Sequence, residues 1–150
     1  MTHAELTVTL PDGTWIKDVS AANPGATFRV LAALPGTDAG FGLVEIVTDD
    51  PRAVLTDVER HDAITRVELL QAGEDRAMVQ FDTTQPLLLF SARESRMPIE
   101  LPIDIVDGTT TLELTTSRDR LSELARQFDA YGLEYTVEYV SPRVESERLL

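Results

Sequence analysis

The sequence predicts an α+β fold of two related halves, ferredoxin-like or ACT-like, with helices packed on mixed or antiparallel sheets. Three observations predict it. Several short stretches alternate apolar and polar residues with the period of a strand, and turn residues separate them. Two longer segments, 51–60 and 117–132, carry apolar residues at helical spacing. The order strand, helix, strand then occurs twice, in LVEIVTDDPRAVLTDVERHDAITRVELL and in TLELTTSRDRLSELARQFDAYGLEYTVEYV. A βαβ crossover joins parallel strands, and added hairpin strands would make the sheets mixed. Duplication and shared architecture explain the echo equally well. The chain is therefore read as one module, 1–150, with 1–82 and 83–150 as candidate halves.

The first strand is read at 5–10, where Leu6, Val8 and Leu10 alternate with Thr7 and Thr9. Pro11-Asp12-Gly13 turns the chain, and WIKDV at 15–19 reads as a short strand. TFRVLAALPG follows with Phe28, Val30 and Ala32 alternating, then a turn and the strand GLVEIVTDD at 42–50. Asp49-Asp50-Pro51 has the chemistry of a helix start: an Asp accepts from an orphan N–H, and proline lacks a donor where none is needed. Val54, Leu55 and Val58 give that helix one apolar face, and it runs to about Arg60. ITRVELLQ at 64–71 and RAMVQFD at 76–82 form a hairpin about AGED.

A helix is expected in 83–95 from near Thr84, with Pro86 in its first turn. ELPIDIVDG at 100–108 and TTLELTT at 110–116 read as the two arms of a second hairpin. The helix of 117–132 has a capping pair in Thr116 and Asp119, an apolar face of Leu121, Leu124, Ala125 and Phe128, and a stop at Gly132. In the last strand, 133–140, Leu133, Tyr135, Val137 and Tyr139 share a face.

Composition narrows the function. Of 150 residues 43% are hydrophobic, enough for a core in one compact domain. No apolar run approaches bilayer length, and MTHAELTVTL lacks a basic segment followed by an apolar one, so a cytoplasmic protein is expected. The absence of cysteine excludes disulfides, thiol catalysis and cysteine-ligated zinc. Asp and Glu total 26 against 13 Lys and Arg, a formal charge of -13, and Lys17 alone is lysine. Scattered acids with so little lysine favour adaptation to high salt over an ordinary acidic surface. Such a surface is a poor match for a phosphate backbone.

No catalytic, cofactor-binding or metal-binding set emerges. His3 falls in a terminus expected to fray. His61, beside Arg60 and Asp62, is expected at a solvent-facing helix end. Asp49 and Asp50 are better read as a cap than as a paired-carboxylate site. None of the glycine segments has a phosphate-loop pattern, and no serine sits in a nucleophile elbow. Candidate ligand or interface residues are Trp15, Arg93 and Arg96. The arginines suit an anionic ligand held between halves, or surface ion pairs with neighbours such as Glu94; Arg118 and Arg120, beside Asp119, carry the same two readings. Trp15, Phe28 and Phe41 are candidate pocket walls, with core packing the stronger reading for the phenylalanines.

With these residues laid out, the chain resembles the region preceding the helix-turn-helix in haloarchaeal bacterio-opsin activator-like transcriptional regulators. The resemblance is carried by LTVTLPDG, by GLVEIVTDDPRAVLTDVERHDAITRVELL, by the block from AMVQFDTTQPLLLFSARES to DRLSEL, and by LEYTVEYVSPRVESERLL. It implies a sensor or dimerisation module, non-enzymatic, without a cofactor and off the membrane. Its partners would be a second copy, other domains of the same regulator or an unknown small ligand. DNA would be met only through a helix-turn-helix following SERLL. A free-standing ACT-like small-molecule binding protein is the alternative, and an enzyme using scattered acids ranks below it.

The charge predicts a fold that salt strengthens, because screening shortens repulsion among the acids. Thermal melts from low to molar potassium chloride are expected to rise, and a flat or falling series would contradict halophilic adaptation.

Overall fold

A computed structural model of the chain describes residues 1–84 and 86–142. The ending SPRVESERLL therefore lies outside the described residues after Pro142. The elements in order are β1 (Thr2–Thr9), α1 (Trp15–Ala22), β2 (Thr27–Pro35), β3 (Gly40–Val47), α2 (Pro51–Arg60), β4 (Ile64–Ala72) and β5 (Arg76–Thr83). Then come α3 (Leu87–Glu94), β6 (Ile103–Ile105), β7 (Thr109–Thr116), α4 (Arg118–Tyr131) and β8 (Glu134–Pro142). The architecture is α+β, with a three-stranded sheet ordered β7-β1-β8 and a five-stranded sheet ordered β4-β5-β3-β2-β6. Every strand pairing is antiparallel, so the sheets are not mixed.

The echoed order has a structural counterpart. β3 and β4 each pair antiparallel with β5, so they run parallel with β5 between them. β7 and β8 stand in the same relation to β1. Each is a split βαβ unit whose gap is filled by a third strand. The candidate halves 1–82 and 83–150 exchange strands: β1 lies at the centre of the C-terminal sheet, and β6 extends the N-terminal sheet beside β2. One apolar core runs through both sheets, joining Leu6, Val8, Leu124 and Phe128 to Phe28, Val44 and Val79.

Several helix signals act as read. Asp50 accepts from Ala53 N–H at 3.2 Å, and Pro51 opens α2, whose Val54 and Val58 are buried. Gly132 ends α4 in the left-handed region at φ 77°. Other expectations are corrected. WIKDV is not a strand but the start of α1, because Trp15 and Val19, four residues apart, share one buried face. Asp18 supports that helix by accepting from Gly13 N–H at 3.1 Å. The cap of α4 is Ser117, not Thr116, and it accepts from Arg120 N–H at 3.2 Å. α3 begins at Leu87 rather than near Thr84, with Pro86 just before it. β6 begins only at Ile103, because Pro102 before it has no N–H to give to a ladder, and ends at Ile105, just before the turn at Asp107–Gly108.

Two register shifts change which side chains share a face. Between Val30 and Ala32 a bulge turns Ala32 outward and brings Ala33 against the core. Between Glu5 and Leu6 the pairing with β8 skips Glu138, so Tyr139 leaves the face of Val137. Tyr139 instead meets His3, whose Nε2 is 3.0 Å from the phenol oxygen while Nδ1 is 3.0 Å from Thr115 Oγ1. His3 is thus held in the middle strand of a sheet, not frayed.

Leu124 is 0% exposed beneath α4, whereas Val137 on the facing strand is 46% exposed. Leu124→Ala is expected to lower unfolding free energy by roughly 2–5 kcal/mol. Val137→Ala is expected to stay near the surface-substitution range of about 0.5 kcal/mol. Denaturant unfolding of both variants checks the placement, and equal losses would contradict it.

Candidate functional site: an apolar cavity with an arginine lip

The cavity forms where α1 and α3 lie over the five-stranded sheet. It measures about 80 Å³ and is walled by Trp15, Val30, Ala33, Phe81, Leu88 and Ile105 among others. Trp15 is 3% exposed and packs its ring 4.8 Å from Phe81 and 6.2 Å from Phe28. The bulge in β2 supplies Ala33, a small side chain where the cavity meets a second space. That space is a groove of about 370 Å³ under the end of α3, and Ala33, Leu89, Ile99 and Leu101 line both. Arg93 and Arg96 line the groove.

The two arginines are held differently. Arg93 Nη1 donates to Gly36 O at 2.7 Å, its Nη2 lies 3.2 Å from Glu94 Oε1, and its guanidinium sits 4.7 Å from the centre of the Phe90 ring. Arg96 is exposed, and its guanidinium makes no hydrogen bond or ion pair among the described residues. Its backbone is unusual. α4 ends with Leu133 N–H donating to Phe128 O at 2.8 Å and Gly132 N–H to Asp129 O at 3.3 Å. α3 ends with the same pair of bonds, Met97 N–H to Ala92 O at 2.8 Å and Arg96 N–H to Arg93 O at 3.1 Å. The left-handed position that glycine fills in α4 is filled in α3 by Arg96, at φ 56°. An L-residue there carries strain of order 1 kcal/mol that glycine would not.

A polar link fixes α1, and with it Trp15, to the end of α2. His61 Nδ1 accepts from Ala63 N–H at 3.0 Å, so the ring proton sits on Nε2, 2.8 Å from Asp18 Oδ2. Burial works against the Asp18 charge, but the His61 hydrogen bond, the Gly13 amide and the nearby Lys17 charge outweigh it. The carboxyl is held below its usual range. His61 is therefore not solvent-facing; its side chain is 14% exposed.

Of the candidate residues, Trp15 walls the cavity and Arg93 and Arg96 edge the neighbouring groove, so the three border two adjacent spaces that share Ala33, Leu89, Ile99 and Leu101, called the tract below. Phe28 is fully buried beside Trp15, as core packing requires, and Phe41 is 45% exposed on a different surface. Arg118 and Arg120 are exposed at the start of α4, outside both spaces. Sequence reasoning missed the floor of the tract, Leu87, Leu89, Ile99 and Leu101. One signal was available: Leu87, Leu88 and Leu89 are consecutive, and three consecutive helical residues cannot share one face, so α3 is apolar on more than its core side. Among the described residues no three His, Cys, Asp or Glu side chains converge on a metal-sized site. No helix of the described residues is long and apolar enough to cross a membrane. No family model and no curated protein matches the sequence, so the functional reading rests on residues and geometry.

Proposed function

We propose that this chain is the regulatory module of a transcriptional regulator, that it takes a small ligand in the tract between α1, α3 and the five-stranded sheet, and that a separate helix-turn-helix reads DNA. The observation that carries the reading is the tract itself: an apolar cavity opening beside two arginines in a chain of net charge -13. The sequence resemblance to the region preceding the reader of bacterio-opsin activator-like regulators supports the same assignment.

The fold offers a route from ligand to output. α3 forms one wall of the tract and meets α4 through Phe90 and Tyr131, whose rings are 6.2 Å apart. α4 leads directly into β8, the last described element. A ligand that orders α3 therefore bears on the strand nearest to the C-terminal end. Binding to the folded form also stabilises it in proportion to the logarithm of ligand concentration. A second reading, pairing of two copies, is favoured by Val137, Tyr139 and Val140, which are 46%, 43% and 44% exposed on the edge strand β8.

Each described helix is followed by a strand, so the described residues contain no helix-turn-helix. The acidic surface also repels phosphate. Duplex DNA from upstream of the encoding gene is to be titrated with this chain and with a chain continued through the expected reader, at one salt concentration. Specific binding by the longer chain alone is expected. Equally tight specific binding by this chain would overturn the division of labour. Sedimentation of the same samples separates a monomeric sensor from a pairing module.

A further inference from the structure

We propose that the tract is a site for an anionic single-chain amphiphile, an aliphatic carboxylate whose tail fills the cavity and whose carboxylate meets Arg96 and Arg93. The proposal rests on the reading of the tract as a ligand site and names the class of ligand. It follows from what each end of the tract can satisfy.

The inner end offers a ligand little polar surface. Its two hydroxyls, on Thr14 and Thr83, donate to Pro11 O at 2.8 Å and Ala63 O at 2.9 Å. Apart from the indole N–H of Trp15, which has no hydrogen-bond partner among the described residues, the remaining walls are hydrocarbon or aromatic carbon, so most of a polar group placed there would be buried without a partner. The inner part of the ligand is therefore expected to be mainly hydrocarbon. Its shape is restricted as well. An apolar cavity known to accept benzene has a volume of about 150 Å³. This one has about 80 Å³, and Trp15 and Phe81 already pack on each other. A slim aliphatic chain fits this space better than a ring.

The open end has the opposite character. Arg93 is oriented by Gly36 O and by the Phe90 face, and Glu94 offsets part of its charge. Arg96 has no such offset, and it occupies a backbone position where glycine would be less strained. The result is a pair of guanidinium groups at the edge of an apolar groove, on a chain with twice as many acids as bases. Guanidinium matches the planar, two-oxygen geometry of a carboxylate. Glu100, between Ile99 and Leu101 in sequence, does not line the groove.

Trp15 is the single tryptophan and forms part of the cavity wall, so its emission reports occupancy in the unmodified chain. The titrants are hexanoate, octanoate and decanoate, with decanol and decyltrimethylammonium as neutral and cationic counterparts, all below their aggregation concentrations. Saturable changes are expected for the carboxylates, with affinity rising about fourfold per added CH₂ until the cavity is full. Decanoate should bind at least tenfold more tightly than decanol, and decyltrimethylammonium should bind least. Two variants place the ligand. Arg96→Gly relieves the left-handed backbone, so its melting temperature should not fall, yet it should weaken decanoate about tenfold and leave decanol unchanged. Ala33→Phe fills the junction of cavity and groove and should weaken both.

Equal affinity for the three decyl compounds, or an undiminished decanoate affinity in Arg96→Gly, would overturn the proposal. So would the absence of a saturable response to any carboxylate. The DNA titrations described above do not depend on these results. If they succeed while every amphiphile fails, the regulatory reading stands and only the ligand class is wrong.

Discussion

The passage at Asp107–Gly108 holds the two sheets in register, and the rest of the fold depends on it. Val106 and Thr109 bridge across it, and its two central residues have positive φ, 50° and 75°, as a two-residue I′ turn requires. The arms of this turn do not stay together as a hairpin. β6 runs to the edge of the five-stranded sheet and β7 to the edge of the three-stranded one. Both backbone groups of Gly108 are engaged: its N–H donates to the buried Ser20 Oγ at 2.8 Å, and its carbonyl accepts from Leu10 N–H at 3.0 Å. One residue thereby joins α1, the end of β1 and both sheets. The aliphatic stem of Lys17 lies against it, leaving no room for a Cβ without displacement of that side chain.

This connection explains why the tract exists where it does. α1 is pinned at Ser20 to the turn and at Asp18 to His61, so Trp15 is presented to the sheet from a fixed helix. β6 reaches the sheet edge only after a segment in which Pro98 and Pro102 interrupt pairing, and that segment contributes Ile99 and Leu101 to the tract. The bulge in β2 sets Ala33 inward at the junction. Apolar packing closes one end, while the end of α3 places Arg96 at the other. Local strain at Arg96 is the kind of departure from the best local residue that marks a site in a fold otherwise consistent across levels.

Much of this was legible in the sequence, and the losses have physical causes. Asp50-Pro51 and Gly132 declared their helix ends because capping chemistry is local. β5 alternated and formed close to where it was read, β3 formed as Gly40–Val47 rather than 42–50, and β4 formed with two register shifts against β5. WIKDV was misassigned because five residues are too few to establish a period: its apolar positions 15, 16 and 19 stand one, three and four apart, the spacing of a helix, and the burial of Trp15 with Val19 bears this out. The exchange of β1 and β6 between sheets was invisible, since strand partners far apart in sequence leave no local signature. The bulges in the β1–β8 and β2–β3 pairings were invisible for the same reason, and each moved a predicted face by one residue. Trp15, Arg93 and Arg96 were singled out from the sequence, but only the fold sets them along one tract.

The central structural claim is that the two sheets form one cooperative body tied at Gly108, and the most direct measurement is the equilibrium unfolding of Gly108→Ala beside the parent chain. Trp15 emission reads the five-stranded side, and amide exchange at Leu6 and Val8 reads the three-stranded side. The account predicts one transition at both sites in each protein, with the variant destabilised at both by at least about 1–2 kcal/mol, the cost of a left-handed L-residue, to which displacement of the Lys17 stem adds. Separate transitions, or a loss confined to one sheet, would contradict it.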